Sequence, residues 1–331
     1  MDGPCGNAVG LTGVGTISST ADRSATPGTA TGESRALGRA FALMLAAFAM
    51  FVVMDTSAKW LVLAGIPALQ VAFLRFSVHL LLVLGAYWPR EGRALFATRV
   101  RGIQLARGAM LAGATMLNFT ALQHLPLPVT ISIFFAGPML VCLLSIPMLG
   151  ERVGPRRIGA VLVGFLGVLV VIQPWNETFG WHVLLSLGSM CCASLYFVLS
   201  RMMRGADGNG TSQLHASVVG TVLLAPFALG GWVWPHGPLP WALLLLVGSL
   251  GFVAHSMVTR AHELAEASVL APTVYSQIVY VSIVSWLVFA SPPGGTTLLG
   301  AGIIIGSGLY LWWRERRLVL AGRSDQRSDQ R

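Results

Sequence analysis

The sequence predicts an all-α membrane protein of ten transmembrane helices, arranged as two inverted repeats of five helices each. Of its 331 residues, 54% are hydrophobic and only 11% are charged. A soluble domain of this size carries about a quarter charged residues, so this chain has too little polar surface to cover a water-soluble fold. The apolar residues also fall in blocks of roughly 20, the length that a helix needs to cross the hydrocarbon core.

The basic residues between these blocks predict the orientation of the helices. The predicted spans cover residues 40–63, 67–88, 102–122, 126–149, 156–173, 180–200, 213–232, 240–260, 267–289 and 295–313. Every second gap, starting with the first, contains neither lysine nor arginine. Arginines collect in the tails and in the alternate gaps, and basic residues mark the cytoplasmic side. Both termini are therefore predicted to be cytoplasmic, in a multi-pass protein of the inner membrane.

The chain divides into two tails and two membrane units. Residues 1–37 are predicted to be a disordered cytoplasmic tail, because a segment rich in Gly, Ser, Thr and Ala cannot bury a core. The first repeat is assigned to 38–174 and the second to 175–314. A basic and polar stretch, 315–331, forms the second cytoplasmic tail.

Weak internal similarity supports the division into repeats. A shift of 140 residues superposes Ala121 on Ala261 and Val129 on Val269. Because five is an odd number, two consecutive units of five helices have opposite orientations in the membrane. Inverted repeats are typical of secondary transporters, which hold their substrate near the middle of the bilayer. The repeat therefore favours transport of a small molecule.

Several motifs carry a resemblance to a known family. Ala-Gly-Pro at 136–138 lies in the middle of the fourth span, and Leu-Gly-Glu-Arg at 149–152 lies at its cytoplasmic end. Leu-Arg-Phe at 74–76 lies in the second span. These motifs resemble the EamA-type members of the drug/metabolite transporter superfamily, over about residues 38–315. The resemblance implies ten helices and the transport of a small metabolite without an ATPase. The second copy of the Leu-Gly-Glu-Arg turn departs from the pattern at 289–293, which puts gating in doubt rather than the fold.

Four ionisable residues inside predicted spans are candidates for substrate binding or coupling. Asp55 and Lys59 are four residues apart and share a helix face, and Arg75 lies at a similar depth in the next span. A charge at the bilayer centre costs at least ~2.5–3.5 kcal/mol, so it needs a partner or a function. One carboxylate facing two cations would leave positive charge for an anionic or carboxylate-bearing substrate. The alternative is a structural ion pair, with Lys59 extended to the outer interface. His79 is either a proton-linked group or a hydrogen-bonded structural histidine.

A second set of candidates is uncharged or aromatic. Pro138 and Pro272 interrupt backbone hydrogen bonds, which is tolerated where helices line a cavity. The shift of 140 residues pairs Phe135 with Tyr275, and two facing rings would suit a ring-bearing substrate. Packing is the alternative explanation for these rings. The set consists of Asn118, Phe135, Tyr196, His255, Tyr275, Gln277 and Tyr280.

Small residues predict one helix contact. Gly302 and Gly306 form a G-x-x-x-G pattern, which lets two helix backbones approach closely. The pattern is consistent with contact between two helices of one chain or with a homodimer.

The sequence offers little for other classes of function. The stretch from His262 to Glu266 begins like a zinc-protease motif but lacks the second histidine. Neither a metal, a cofactor nor nucleic acid is predicted as a partner. The predicted partners are the lipid bilayer and a small-molecule substrate, either a riboflavin-like heterocycle or an amino or carboxylic acid. An intramembrane enzyme and a non-transporting scaffold stay as alternatives.

Overall fold

The structure is a computed structural model, and it describes residues 27–150, 154–173, 180–203, 205–265 and 267–328. All regular secondary structure in these residues is helical. The α-helices are α1 (Pro27–Leu63), α2 (Ala68–Glu91), α3 (Arg101–Leu122), α4 (Leu127–Phe134), α5 (Gly137–Leu149), α6 (Pro155–Ile172), α7 (Val183–Met202), α8 (Asn209–Gly230), α9 (Pro238–Leu264), α10 (Ala267–Leu270), α11 (Gln277–Phe289) and α12 (Gly295–Ser328). Short 3-10 segments cover Gly92–Phe96, Gly180–His182 and Ala271–Ser276.

The helices confirm the predicted multi-pass membrane fold. Within the described ranges, 8 helical stretches are long and apolar enough to cross a membrane, and α6 adds the shorter apolar stretch Ile158–Ile172. Helix α3 has 22 residues but contains Arg107 and Asn118, which lower its hydropathy. Taking α4 with α5, and α10 with α11, as single crossings gives the ten predicted spans.

The fourth and ninth spans are both broken, as the prolines predicted. Helix α4 ends at Phe134, and α5 begins at Gly137 with Pro138 in its first turn. In the ninth span, the 3-10 segment Ala271–Ser276 contains Pro272 and separates α10 from α11. Proline has no N–H to donate and clashes with the preceding turn. The breaks occupy equivalent positions in the two repeats.

The residues that end α5 and α11 have the same left-handed backbone conformation although the sequences of the two turns differ. Gly150 ends α5 at φ 68°, and Ala290 ends α11 at φ 50°. Their N–H groups donate to the carbonyls of Ile146 (3.1 Å) and Trp286 (3.0 Å), respectively, which closes the left-handed helix cap common at C-termini. The departure of the second turn from the family pattern therefore leaves the conformation of the helix-ending residue unchanged, while residues 151–153 of the first turn lie outside the described part of the chain.

Helix packing follows the symmetry of two inverted repeats. Helix α1, the first crossing of the first repeat, packs on α9, the third crossing of the second repeat. The equivalent contact with the repeats exchanged is that of α3 with α7, and it is also present. Three further contacts each join a helix to its equivalent in the other repeat, namely α2 with α8, α4 with α11 and α6 with α12. This pattern confirms the predicted fold class. Helices α1, α2, α3, α7, α8 and α9 surround the polar interior described below.

The glycine contact lies on a different face of α12 from the one predicted. Gly302 and Gly306 are exposed, and a β-carbon at either position would have no neighbouring atom within 4 Å. Gly300 instead packs against α6, and Gly308 against the Tyr275 side chain. Of the two alternatives, the structure therefore contradicts contact within one chain through Gly302 and Gly306, because a half turn of helix separates their face from the face that packs on α6. A homodimer through the open face stays a prediction.

The helices at both ends extend into the predicted tails. Helix α1 begins at Pro27, within the segment 1–37 for which disorder was predicted. Residues after Gly32 include the good helix formers Glu33, Ala36 and Leu37, which favour this extension. Helix α12 continues to Ser328. Residues 1–26 and 329–331 lie outside the described part of the chain.

Candidate functional site

A small polar cavity lies between the two repeats. Its volume is about 40 Å³, enough for a few water molecules and too small for a metabolite. Among the described residues, neither aspartate nor glutamate lines it. The lining residues are Phe76, His79, Arg107, Leu111, Tyr196, Asn209, Gln213, Ala216, Ser217, His255 and Thr259. Three of the residues predicted from the sequence, His79, Tyr196 and His255, are therefore brought together.

His79 is held by a hydrogen-bonded chain from α8. Its Nε2 lies 3.1 Å from Gln213 Oε1, and Gln213 Nε2 donates to Asn209 Oδ1 at 3.1 Å. The Gln213 amide oxygen therefore accepts, and we assign the hydrogen to His79 Nε2. This assignment leaves His79 Nδ1 as an acceptor. A β-carbon on Gly251 would lie 3.7 Å from Nδ1, so the glycine leaves open space in front of this nitrogen.

Arg75 lies next to His79 and is almost completely buried. Its Nη1 donates to Thr115 Oγ1 at 2.8 Å, and its guanidinium carbon lies 4.8 Å from the centre of the Phe76 ring. Its Nε is buried without a hydrogen-bond partner. A β-carbon on Gly251 would lie 3.6 Å from this Nε. The gap left by Gly251 is thus bordered by this Nε, by His79 Nδ1 and, at 3.8 Å from such a β-carbon, by Met54 Sδ, and holds about one atom.

The structure corrects the predicted arrangement of Asp55 and Lys59. Lys59 Nζ donates to the Leu125 carbonyl at 2.6 Å and lies 5.5 Å from the Phe289 ring. Asp55 Oδ1 accepts instead from Asn118 Nδ2 at 3.3 Å. Among the described residues no ion pair joins Asp55 to a cation, although Asp55 and Arg75 attract each other over a longer range. The lysine stem is long enough to reach the loop, so Lys59 lies away from the cavity.

Arg107 is a cavity residue that the sequence analysis missed. It is 8% exposed, and its guanidinium lies 4.8 Å from the Tyr196 ring centre. Its hydrogen-bond acceptors are Ser200 Oγ (2.8 Å), Gln104 Oε1 (3.3 Å), the Ser212 carbonyl (3.0 Å) and Tyr196 OH (3.0 Å). Arg107 is one of the arginines from which the orientation of the helices was predicted. Arg107 lies inside the predicted span 102–122 rather than in a gap between spans, and this position indicated that its side chain could be buried.

The aromatic pair of the broken spans is separate from this cavity. The Phe135 and Tyr275 rings are in T-shaped contact with centres 5.6 Å apart, where both helices are interrupted. Gln277 and Tyr280 follow in α11 and do not line the cavity. A substrate-binding role for these four residues, and for Asn118, stays a prediction.

Asp207 joins the two repeats at the end of the bundle where the arginines collect. It precedes α8 and accepts hydrogen bonds from the other repeat, namely from Thr98 Oγ1 at 2.5 Å, Gln104 Nε2 at 2.8 Å and the Arg99 N–H at 3.3 Å. We name this contact the Asp207 clamp. Because Gln104 also accepts from Arg107, the clamp connects to the cavity.

An equivalent contact closes the opposite end. Gln70, at the start of α2, is fully buried. Its Nε2 donates to the Val233 carbonyl at 2.8 Å, and its Oε1 accepts from the Val233 N–H at 2.9 Å. This Gln70 clamp joins the start of α2 to the loop after α8, whereas the Asp207 clamp joins the start of α8 to the loop after α2. The inverted repeat therefore places one clamp at each end of the helix bundle that contains the cavity.

The Asp207 clamp has a definite pH dependence. Partial burial raises the pKa of Asp207, but hydrogen bonds from Thr98, Gln104 and the Arg99 N–H outweigh it, so the pKa lies below its ordinary value. Because the folded-state pKa is the lower one, the clamp is fully stable above the unfolded pKa of about 3.9 and weakens only as pH falls further. We expect hydrogen exchange at the Arg99 amide, corrected for its intrinsic rate, to accelerate only below about pH 4.

The Asp207→Asn variant serves as the control for this measurement. Its neutral amide cannot be protonated in this range, so the acid-induced step in Arg99 exchange should disappear. Loss of protection near neutral pH in the unmodified protein would contradict the assignment.

Known proteins resemble this chain in sequence and in fold. A riboflavin transporter of Rhizobium johnstonii is 28% identical over 286 residues, covering 86% of this chain and 94% of that protein. An S-adenosylmethionine uptake transporter of Rickettsia felis is 24% identical over 251 residues, covering 76% of this chain and 84% of that protein. A solved crystal structure has a TM-score of 0.61 at 18% identity, covering 86% of this chain and 99% of that one, and shows the same fold.

The match to a family model follows the two repeats. The model describes the EamA-like transporter family, and it matches twice, at residues 38–173 and 180–313. Together these matches span most of the sequence and all of the helices that surround the cavity. The chain belongs to the EamA-like transporter family.

Proposed function

We propose that this chain is a secondary transporter that moves a small organic metabolite across the inner membrane by alternating access, and that it is not an enzyme. The observation that carries the proposal is the polar cavity between the repeats, with one hydrogen-bonded clamp at each end. A cavity flanked by two equivalent closures suits a carrier that opens to one side at a time. Family membership supports the same conclusion.

The clamps suggest how such a carrier would work. With both clamps formed, the cavity is too small for a metabolite, which corresponds to an occluded state. Opening the Asp207 clamp would separate the start of α8 from the loop after α2 and expose Arg107 and His255. Opening the Gln70 clamp would expose the cavity from the other end. Substrate would cross as the two clamps open in turn.

Two substrate classes suit the side chains that would be exposed once a clamp opens. A flat heterocycle such as riboflavin, which the Rhizobium relative is named for, could stack on the Tyr196 and Phe76 rings. An amino or carboxylic acid would use the basic side chains instead. Riboflavin is the first compound to test because of the relative, and amino and carboxylic acids form the second panel.

The orientation in the membrane is part of the proposal. Arg90, Arg101, Arg201 and Arg260 all lie at the end of the bundle that carries the Asp207 clamp. Basic residues favour the cytoplasmic side, so we place this end, and both termini, in the cytoplasm. The Gln70 clamp then faces outward, and the exposed apolar side chains of the outer helices face lipid.

Uptake into vesicles tests the proposed function. The purified protein, reconstituted with riboflavin or with the acid panel outside, should give saturable accumulation of chemically unchanged compound. Arg75→Ala should lower the initial rate at least about tenfold, because Arg75 is buried beside the cavity and loses a charged hydrogen bond. Arg90→Ala, at an exposed arginine, should leave the rate unchanged. A chemically altered product would favour an enzyme, and absence of flux for every compound would favour a scaffold.

A further inference from the structure

Side chains able to donate a hydrogen bond converge on the cavity. Arg107, His79 and His255 line it. The centres of the His79 and His255 rings are 6.1 Å apart, and Arg75 lies beside His79 near Gly251. Two carboxylates of the described residues lie around this group: Asp55 accepts a hydrogen bond from Asn118, and Asp207 reaches Arg107 only through Gln104. Among the described residues, Arg107 therefore has no carboxylate in direct contact.

Arg107 is the positively charged side chain that lines the cavity. All four of its hydrogen-bond acceptors are neutral oxygens. They orient the guanidinium but do not neutralise it. A buried charge without a counter-ion is costly, and removing water from it costs several kcal/mol. Of its five N–H groups, four are used, which leaves one on Nη2 for a further acceptor.

His255 offers a second free group in the same cavity. Among the described residues its ring contacts Phe51 edge-on, with centres 5.2 Å apart, and lies 6.1 Å from the His79 ring. Neither ring nitrogen of His255 has a hydrogen bond with a described residue. His79, by contrast, is held by Gln213. The His255 ring is thus available to a ligand on the side that faces the cavity.

Arg75 supplies a third observation that is independent of the other two. The side chain is 3% exposed, and its Nε has no partner. A β-carbon on Gly251 would lie 3.6 Å from this Nε, so the glycine leaves room for about one atom beside it. Buried polar atoms without partners are rare in folded proteins. The orphaned nitrogen therefore indicates a ligand atom, or water that a ligand replaces, beside the cavity.

We propose that the substrate carries an anionic oxygen group, a carboxylate or a phosphate, and that Arg107 and His255 bind this group directly. Arg75 lies behind them and stabilises the same negative charge at longer range. This inference rests on the proposed transport function and names the chemical class of its substrate. Arginine suits this role because its planar N–H groups match the oxygens of carboxylate and phosphate.

Paired probes separate charge from shape. Riboflavin is compared with flavin mononucleotide, its phosphate ester, and nicotinamide is compared with nicotinate, its carboxylate counterpart. Ligand binding to the purified full-length protein in detergent is measured from the rise in thermal unfolding midpoint across a concentration series. We expect the anionic member of at least one pair to bind about tenfold to a hundredfold more tightly than the neutral member. The pair that responds distinguishes phosphate from carboxylate.

Variants locate the site. Arg107→Gln should remove the preference for the anion, and Arg107→Lys should retain part of it because the charge is kept. Arg101→Gln is the matched control: it makes the same change in the same helix at an exposed position. His255→Gln should also weaken anion binding, and this ring has no described hydrogen bond whose loss would disturb folding. It therefore tests the site even if Arg107→Gln fails to fold.

The outcomes are distinct from those of the uptake experiment. Equal binding of both members of every pair, or an anion preference that survives in Arg107→Gln and His255→Gln, would overturn the anion site even if vesicles accumulate riboflavin. An anion preference that both variants abolish would support the site even if no tested compound is transported. Failure of transport and failure of anion recognition can thus be told apart.

Discussion

A disulfide between positions 98 and 207 is expected to stop transport completely and reversibly. In the variant that combines Thr98→Cys with Asp207→Cys, mild oxidation should reduce uptake to the level of empty vesicles. Reduction with dithiothreitol should restore it. The expectation follows from alternating access, because a covalent bond across the Asp207 clamp would prevent the cavity from opening at that end.

The geometry of the clamp favours the cross-link. Thr98 Oγ1 and Asp207 Oδ2 are 2.5 Å apart, and sulfurs replacing the hydroxyl and the carboxylate carbon would lie within reach of the roughly 2 Å disulfide bond. The two residues are 109 positions apart in the sequence and belong to different repeats. A bond between them therefore joins the two halves of the bundle rather than neighbours in one helix.

Single variants provide the controls. Thr98→Cys alone and Asp207→Cys alone, treated with the same oxidant, report any effect of the native cysteines, among them Cys191 and Cys192. A cross-linker joining cysteines at positions 70 and 233 should also stop transport, since the clamp at the other end must open in its turn. Undiminished uptake by the fully oxidised 98–207 variant would show that this contact does not gate the cavity.

The sequence predicted the fold well because the fold depends on properties that are local in the chain. The length of each apolar block and the alternation of arginines determine how often the chain crosses the membrane. Pro138 and Pro272 broke the helices where expected, because a missing N–H acts within one turn. Even the Ala290 turn kept the conformation of its repeat mate Gly150, although alanine is disfavoured at positive φ.

The candidate site was less predictable because it depends on which residues meet across helices. The spacing of Asp55 and Lys59 allowed an ion pair, but the lysine stem also reached the Leu125 carbonyl, and only the packed structure decides between these partners. Arg107 resembled the other arginines near span ends. Its burial follows from the approach of α7 and α8, which no local pattern reveals. The clamp residues Gln70 and Asp207 likewise have partners more than a hundred positions away.

The second large effect is expected at the contact of α6 with α12. A β-carbon on Gly300 would lie 2.5 Å from Val171 Cγ2, 2.6 Å from the Gly167 carbonyl oxygen and 2.9 Å from the Val171 nitrogen. Two of these three atoms belong to the backbone and cannot turn aside as a flexible side chain would. Gly300→Ala must therefore force the two helices apart, and overpacking of this kind costs about 1–3 kcal/mol. Thermal unfolding in detergent should begin at a clearly lower temperature.

Gly302→Ala is a matched control for this prediction. It makes the same change two positions away in the same helix, where a β-carbon would meet no atom within 4 Å. Because alanine favours the helix over glycine by up to about 1 kcal/mol, this variant should be as stable as the unmodified protein or slightly more so. Equal stability of the two variants would show that α6 and α12 do not approach as closely as the structure places them. If only Gly300→Ala lowers the thermal unfolding midpoint, the close contact between the repeats lies at Gly300. That glycine is on the opposite side of α12 from Gly302 and Gly306.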